Sequence, residues 1–303
     1  MGFWMAKGTH SYRLDRHSIY WWISWGAKYI PAPVANFIGD RIADWLFYYK
    51  SENIVPEQVK NLDHVLGPDI SPREKRKVVR RLWRRHGRFL LDLFRFERMS
   101  DAEIASRVPE FIGVENIKKA VEAGKGAIIL TAHIGHWELG GILLKYLGFK
   151  VNVVQYLYNS EEQNRLLDKN KEIRGIKIIS PDNPAGFALG AYNALKRNEL
   201  VAIQGDRDLN KSGIMADFFG KPAMFPKGPA LLAMKTGAPL IPAFTIMGED
   251  GRYHPVAEPP IEMTDTGDAE ADLRENISKI AIIFEKYVRR HPEQWFNFYY
   301  FWD

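Results

Sequence analysis

Over the C-terminal two-thirds of the chain, short apolar runs alternate with longer stretches of helical periodicity. Ala127-Ile-Ile-Leu-Thr131, Ile176-Lys-Ile-Ile179, Leu200-Val-Ala-Ile203 and the run that follows the Gly237-Ala-Pro turn as far as Phe244 have the length of strands. Between them, residues 116–122, 139–144, 161–175, 188–197, 231–236 and 272–289 space their apolar residues as helices do. This alternation predicts an α/β fold, with a mainly parallel central sheet flanked by helices. The first hundred residues lack it and predict helices alone. A boundary near Met99-Ser-Asp101 would divide a helical region, 1–100, from an α/β domain, 101–303.

Within the helical region the apolar positions are concentrated. Only Lys28 is charged between Ser18 and Gly39, a length that brings a transmembrane helix into view. Pro31 and Pro33 would break such a helix near its middle. Trp21, Trp22 and Trp25 suit the headgroup layer better than the hydrocarbon centre. The segment therefore predicts a monotopic membrane anchor, with a single span as the alternative and an ordinary buried core as the plain reading. No signal-peptide order precedes it.

Charge changes the picture next. From Arg73 to Arg98 there are eleven Lys/Arg against three Asp/Glu, with Leu82, Trp83, Phe89, Leu90, Leu91 and Phe94 interleaved. This is a basic amphipathic helix, suited to anionic lipid, to an acidic carrier protein or to plain solvation. No nucleic-acid-binding motif accompanies it, and no nucleic acid is expected as a partner. The absence of cysteine excludes disulfides and thiolate metal sites. The 46% hydrophobic content of 303 residues is ample for a large core.

Candidate chemistry gathers at strand ends. His133 and Glu138 follow the 127–131 run, the first in a turn and the second in a helix. On one continuous helix they would stand about 140° apart, at roughly 100° per residue, so contact requires that break. A neutral imidazole oriented by a carboxylate is a general base; a capping histidine beside an unrelated glutamate fits the same letters. Asp206-Arg-Asp208 follows the 200–203 run, where α/β sheets place ligand-contacting groups. Lys221 and Lys227 bracket a loop, and Gly228-Pro229 opens a helix whose free N–H groups attract anions. Paired surface charges in a solvated loop are the plainer account. A metal site at His133, His136 and Glu138 lacks the zinc-helix spacing and a third ligand motif. Residues 213–221 lack P-loop spacing.

Thr131-Ala-His-Ile-Gly-His-Trp-Glu-Leu-Gly140 resembles the His-x4-acid motif of membrane acyltransferases, most closely the bacterial lipid A late acyltransferases. These in turn resemble mycobacterial phosphatidylinositol mannoside acyltransferases. Gln204-Gly-Asp-Arg-Asp208, Phe218-Phe-Gly220 and Pro226-Lys-Gly-Pro-Ala230 match the family in the same order. The likeness spans roughly 15–295 and is most specific at 131–140 and 204–230. It implies a glycerolipid-acyltransferase-like fold in which His133 takes a proton from the acceptor hydroxyl and Glu138 orients it. The hydroxyl, most simply on a lipid A precursor, then attacks an acyl-carrier-protein or coenzyme A thioester, with no resident cofactor. A phosphatidylinositol mannoside is the alternative acceptor, and a lipid-binding scaffold the alternative of another class. The resemblance also implies a substrate-contacting arginine, assigned to Arg174 with Arg165 as alternative, and substrate contacts at Asp206, Arg207, Asp208, Lys221, Lys227 and Gly228. A soluble donor and a bilayer-borne acceptor place the enzyme on the cytoplasmic face of the bacterial inner membrane. After His291-Pro-Glu-Gln-Trp295 the chain departs from the family, ending in an aromatic tail that either packs on the core or touches membrane.

Overall fold

The computed structural model describes residues 17–50, 52–157, 160–208 and 211–302. Four helices come first: α1 (His17–Tyr29), α2 (Ala32–Tyr49), α3 (Ile54–Leu66) and α4 (Pro72–Arg95). Pro31 precedes α2 and Pro33 lies in its first turn, where a missing N–H leaves no bond unmade. The apolar stretch 18–39 is thereby two helices. Among the described residues none is long and apolar enough to cross a membrane. A capping box, in which Ser71 and Glu74 satisfy each other's backbone N–H, opens α4.

Next come α5 (Asp101–Ala105), α6 (Val114–Glu122), β1 (Ala127–Thr131), α7 (Trp137–Tyr146), β2 (Val151–Val154), α8 (Glu161–Ile173) and β3 (Lys177–Ile179). Then follow α9 (Pro184–Lys196), β4 (Leu200–Gln204), β5 (Ile214–Phe218), β6 (Lys221–Phe225), α10 (Gly228–Thr236), β7 (Leu240–Met247), β8 (Tyr253–Ala257) and α11 (Ala269–Arg290). Six strands form one sheet in the order β3-β2-β4-β1-β7-β8, parallel except for β8. The expected α/β architecture with a mainly parallel sheet is what the chain adopts. β5 and β6 form a separate hairpin.

Both faces of the sheet are covered, because successive strand side chains point opposite ways. Ile128 and Leu130 enter one buried cluster with Phe284 of α11, and Ala127 and Ile129 enter another with Leu139 and Leu143 of α7. Phe47, Val79 and Trp83 from α2 and α4 belong to the same cluster as Ile128, so the N-terminal helices share a core with the sheet.

The basic face of α4 is largely neutralised from within. Arg80 and Arg84 each place a guanidinium nitrogen 2.6 Å from Asp44, and Arg88 pairs with Asp40. Those hydrogen bonds hold the Asp44 carboxyl well below the usual range. Arg73, Lys77 and Arg81 stay exposed.

Candidate active site

β1 and β4 run in register with Thr131 opposite Gln204. Two residues beyond each strand, His133 and Asp206 arrive at the same level, at the C-terminal edge of the sheet. His133 Nδ1 lies 2.7 Å from Asp206 Oδ1, and the other carboxylate oxygen accepts the His133 backbone N–H at 3.1 Å. Both side chains are buried. With Nδ1–H donating to the carboxylate, Nε2 keeps its lone pair. Burial first, then the Arg207 charge, lowers the imidazole to about 4, against an opposing pull from Asp206. Burial pushes the Asp206 carboxyl up, but His133 and Arg207 outweigh it and leave it below its ordinary value. At neutral pH the pair is a neutral imidazole held by an ionised carboxylate.

The backbone around His133 is pinned. Gly135 has φ +64°, and a Cβ there would stand 2.1 Å from the Thr245 carbonyl oxygen, so only glycine fits. Gly135 N–H donates to Gln294, His136 N–H to Thr245 and Phe296 N–H to the His133 carbonyl. The capping role that the plain reading offered His133 falls instead to His136, whose Nδ1 accepts the Leu139 N–H at 3.2 Å and starts α7.

Glu138 requires a correction. The turn and helix form as expected, but its carboxylate lies 2.7 Å from Lys171 Nζ of α8. Lys171 is 5% exposed, and an ammonium so buried needs an anion. The acid on His133 is Asp206, delivered by the neighbouring strand from 73 residues away. Glu138, Lys171 and Asp168 instead line a cavity of about 60 Å³ between α7, α8 and the sheet. Its apolar walls include Phe89, Leu93 and Ile142, and it meets the strand ends at Thr131 and Gln204.

Arg174 likewise lies elsewhere. It closes α8 just before β3, at the edge of the sheet opposite His133. Its guanidinium donates to Asp101, Asn170 and the carbonyls of Phe96 and Met99, tying α8 to the α4–α5 junction. Arg165 is exposed on α8. Arg207 does reach the site: Nη2 donates to the Phe296 carbonyl at 2.6 Å, and Nε lies 4.0 Å from Asp206. Asp208 accepts the Gly213 N–H and shapes the exit of the loop.

Lys221 and Lys227 bracket β6, the second strand of the hairpin, rather than a loop. Lys221 pairs with Phe218 at the hairpin tip, about 14 Å from Phe225 at roughly 3.4 Å per residue. Lys227 stands at the other end and caps α10. Gly228 and Pro229 follow it beside the site, since a Cβ on Gly205 would lie 3.5 Å from Pro229 Cγ.

The reading from sequence gave Asp206 to the substrate rather than to His133, and it did not foresee the C-terminal contribution to the site. Asp206 stood out only as a group at a strand end, and nothing along the chain says that β4 lies beside β1. The C-terminal tail packs on the core and grips the His133 turn through Gln294 and Phe296. Its aromatic richness was the one visible signal.

The sequence profile described as "Bacterial lipid A biosynthesis acyltransferase" matches residues 6–302. A phosphatidylinositol mannoside acyltransferase of Mycobacterium tuberculosis (strain CDC 1551 / Oshkosh) is 29% identical over 246 residues, 79% of this chain and 75% of the relative. One from Mycolicibacterium smegmatis is 28% identical over 261 residues, covering 82% and 79%. The lipid A biosynthesis palmitoleoyltransferase of Escherichia coli (strain K12) is 24% identical over 291 residues, covering 92% and 90%.

Proposed function

The chain belongs to the bacterial lipid A biosynthesis acyltransferase family, and on that premise we propose that it moves a fatty acyl group from a carrier thioester to a sugar hydroxyl of a membrane glycolipid, with His133 as base and Asp206 as its positioning residue. The observation that carries this reading is the buried 2.7 Å contact between the two side chains, beside an apolar cavity. The acceptor O–H gives its proton to His133 Nε2 as its oxygen attacks the thioester carbonyl. The resulting imidazolium is steadied by Asp206 and returns the proton to the departing thiolate, leaving an ester and a free thiol. Serine hydrolases use the same logic with a nucleophile of their own. The thioester, on acyl carrier protein or coenzyme A, is a co-substrate, and the reaction calls for no resident cofactor.

Relatives named for phosphatidylinositol mannoside and for lipid A share one acceptor chemistry, a sugar carried on a phosphate-bearing lipid. Lys227 and the free N–H groups opening α10, next to Asp206, suit that phosphate. Docking on the cytoplasmic face of the membrane through α1 and α2, without a span, brings a bilayer-borne acceptor to a soluble donor. The test is mass spectrometry of reactions pairing palmitoyl-coenzyme A or palmitoyl-acyl carrier protein with a phosphatidylinositol mannoside or a lipid A precursor. A new ester that disappears with His133→Ala is expected. No ester from any pairing overturns the reading.

A further inference from the structure

Helix α4 lines two separate apolar spaces with different faces. Phe89 and Leu93, one turn apart, face the cavity over the sheet. Gly87, Leu90 and Leu91 face the other way, into a groove of about 320 Å³ walled by α1 and α2. That volume falls at the lower end of small-ligand sites, about 300–1,000 Å³.

Three helix-interior glycines border the groove, one each from α1, α2 and α4: Gly26, Gly39 and Gly87. Each costs a helix about 0.5–1 kcal/mol relative to alanine. Close packing accounts for Gly39, where a Cβ would lie 2.9 Å from Leu91 Cδ1. It does not account for Gly26, where a Cβ would meet only the Ile30 Cδ1 atom at an ordinary 3.7 Å. There glycine leaves the space open.

The rim carries Trp22 and Ile42, 62% and 52% exposed, on the surface that α1 and α2 turn to solvent. The inner end reaches His86, whose ring packs 5.2 Å from Phe296. Phe296 touches Trp137, and the Trp137 ring lies 5.3 Å from His133. Packed rings of His86, Phe296 and Trp137 thus connect the inner end of the groove to the His133 side chain.

We propose that this groove holds one hydrocarbon chain of the lipid acceptor while its sugar hydroxyl is presented to His133. This deepens the function proposed above and rests on its acceptor class. The cavity, at about 60 Å³, falls far below the small-ligand range, so of the two spaces along α4 the groove is the one with room for a hydrocarbon chain. The groove opens on the exposed aromatic face, so it suits a chain rising from a bilayer.

The test uses the full chain with phosphatidylglycerol vesicles containing a phosphatidylinositol mannoside that bears a diazirine near the end of one chain. Irradiation should label α4 between Trp83 and Leu91 as well as α1 and α2. Gly26→Leu, which fills the groove while favouring the helix, should cut α4 labelling at least fivefold. It should also raise KM for the diacyl acceptor about tenfold more than KM for the deacylated one. Label confined to α1 and α2 would mean a lipid resting on the surface only, and would overturn the proposal. So would an equal KM change for both acceptors. Label on α4 without transfer would uphold the groove and sink the acceptor reading; transfer without label on α4 would do the reverse.

Discussion

The edge of the sheet around His133 and the surface of α1–α2 invert the usual distribution of polar and apolar groups. At the first, charged and polar side chains are sealed away: His133 and Asp206 are each 2% exposed. At the second, apolar side chains face outward. Of the twenty large hydrophobic side chains exposed among the described residues, eleven lie on these two helices. A contiguous apolar face of this kind marks a binding surface rather than a water-facing one. The two regions fit the function proposed above, with chemistry shielded from water and an exterior that meets lipid.

The comparison breaks most sharply at the dyad. His133→Ala should lower kcat about 10²–10⁴-fold, the usual worth of a general base, with the fold retained by circular dichroism. A folded variant within threefold of wild type would end the mechanism. Asp206→Asn should cost about 10²-fold, because the amide no longer fixes the Nδ1–H tautomer and no longer steadies an imidazolium. If it lowers the melting temperature while specific activity stays level, Asp206 is structural.

The acid side of the pH profile sharpens the same point. His133 titrates near 4 when folded and near 6.5 when unfolded. Between those values the unfolded chain binds the extra proton, so the contribution of His133 to stability is complete above about pH 6.5 and declines as pH falls toward 4. His136, lowered to about 4 chiefly by burial, acts in the same direction. Denaturant midpoints should therefore rise from pH 4 to pH 6.5, and this slope should shrink in His133→Gln.

At the other region, Trp22→Ser with Trp25→Ser and Phe37→Ser should reduce vesicle binding at least about tenfold in sedimentation, at low and high salt alike, since apolar burial is not screened. Undiminished binding would remove α1–α2 as the docking face. Smaller effects lie between the two regions. Glu138→Ala leaves the buried Lys171 ammonium with only its 3.4 Å contact to Asp168 and should destabilise the fold by about 1–3 kcal/mol, with kcat of the folded protein reduced less than tenfold. A loss matching His133→Ala at unchanged stability would return Glu138 to the orienting role. Reversing Arg73, Lys77 and Arg81 together should weaken vesicle binding only at low salt, because Arg80, Arg84 and Arg88 are already occupied by α2.

The sequence by itself determined the elements that matter here. β1 covers Ala127–Thr131 as the apolar run implied, and the turn and helix after it hold His133 and Glu138 where the pattern put them. Pro31 and Pro33 divided the apolar N-terminal stretch, and Gly228-Pro229 opened α10. These are local outcomes, written in the spacing of apolar residues and in the few residue types that start or stop a helix. The tertiary structure alone decided which partners meet. Strand order is not encoded in periodicity, so the neighbourhood of β1 and β4, and with it the Asp206 carboxylate on His133, emerged only from folding. Lys171 claimed Glu138 because a buried ammonium must find an anion. Arg174 was drawn into backbone carbonyls at the opposite edge, and Phe296, near the end of the chain, came to hold the histidine's own carbonyl. Each of these contacts joins segments far apart in sequence, where pattern carries no information about proximity.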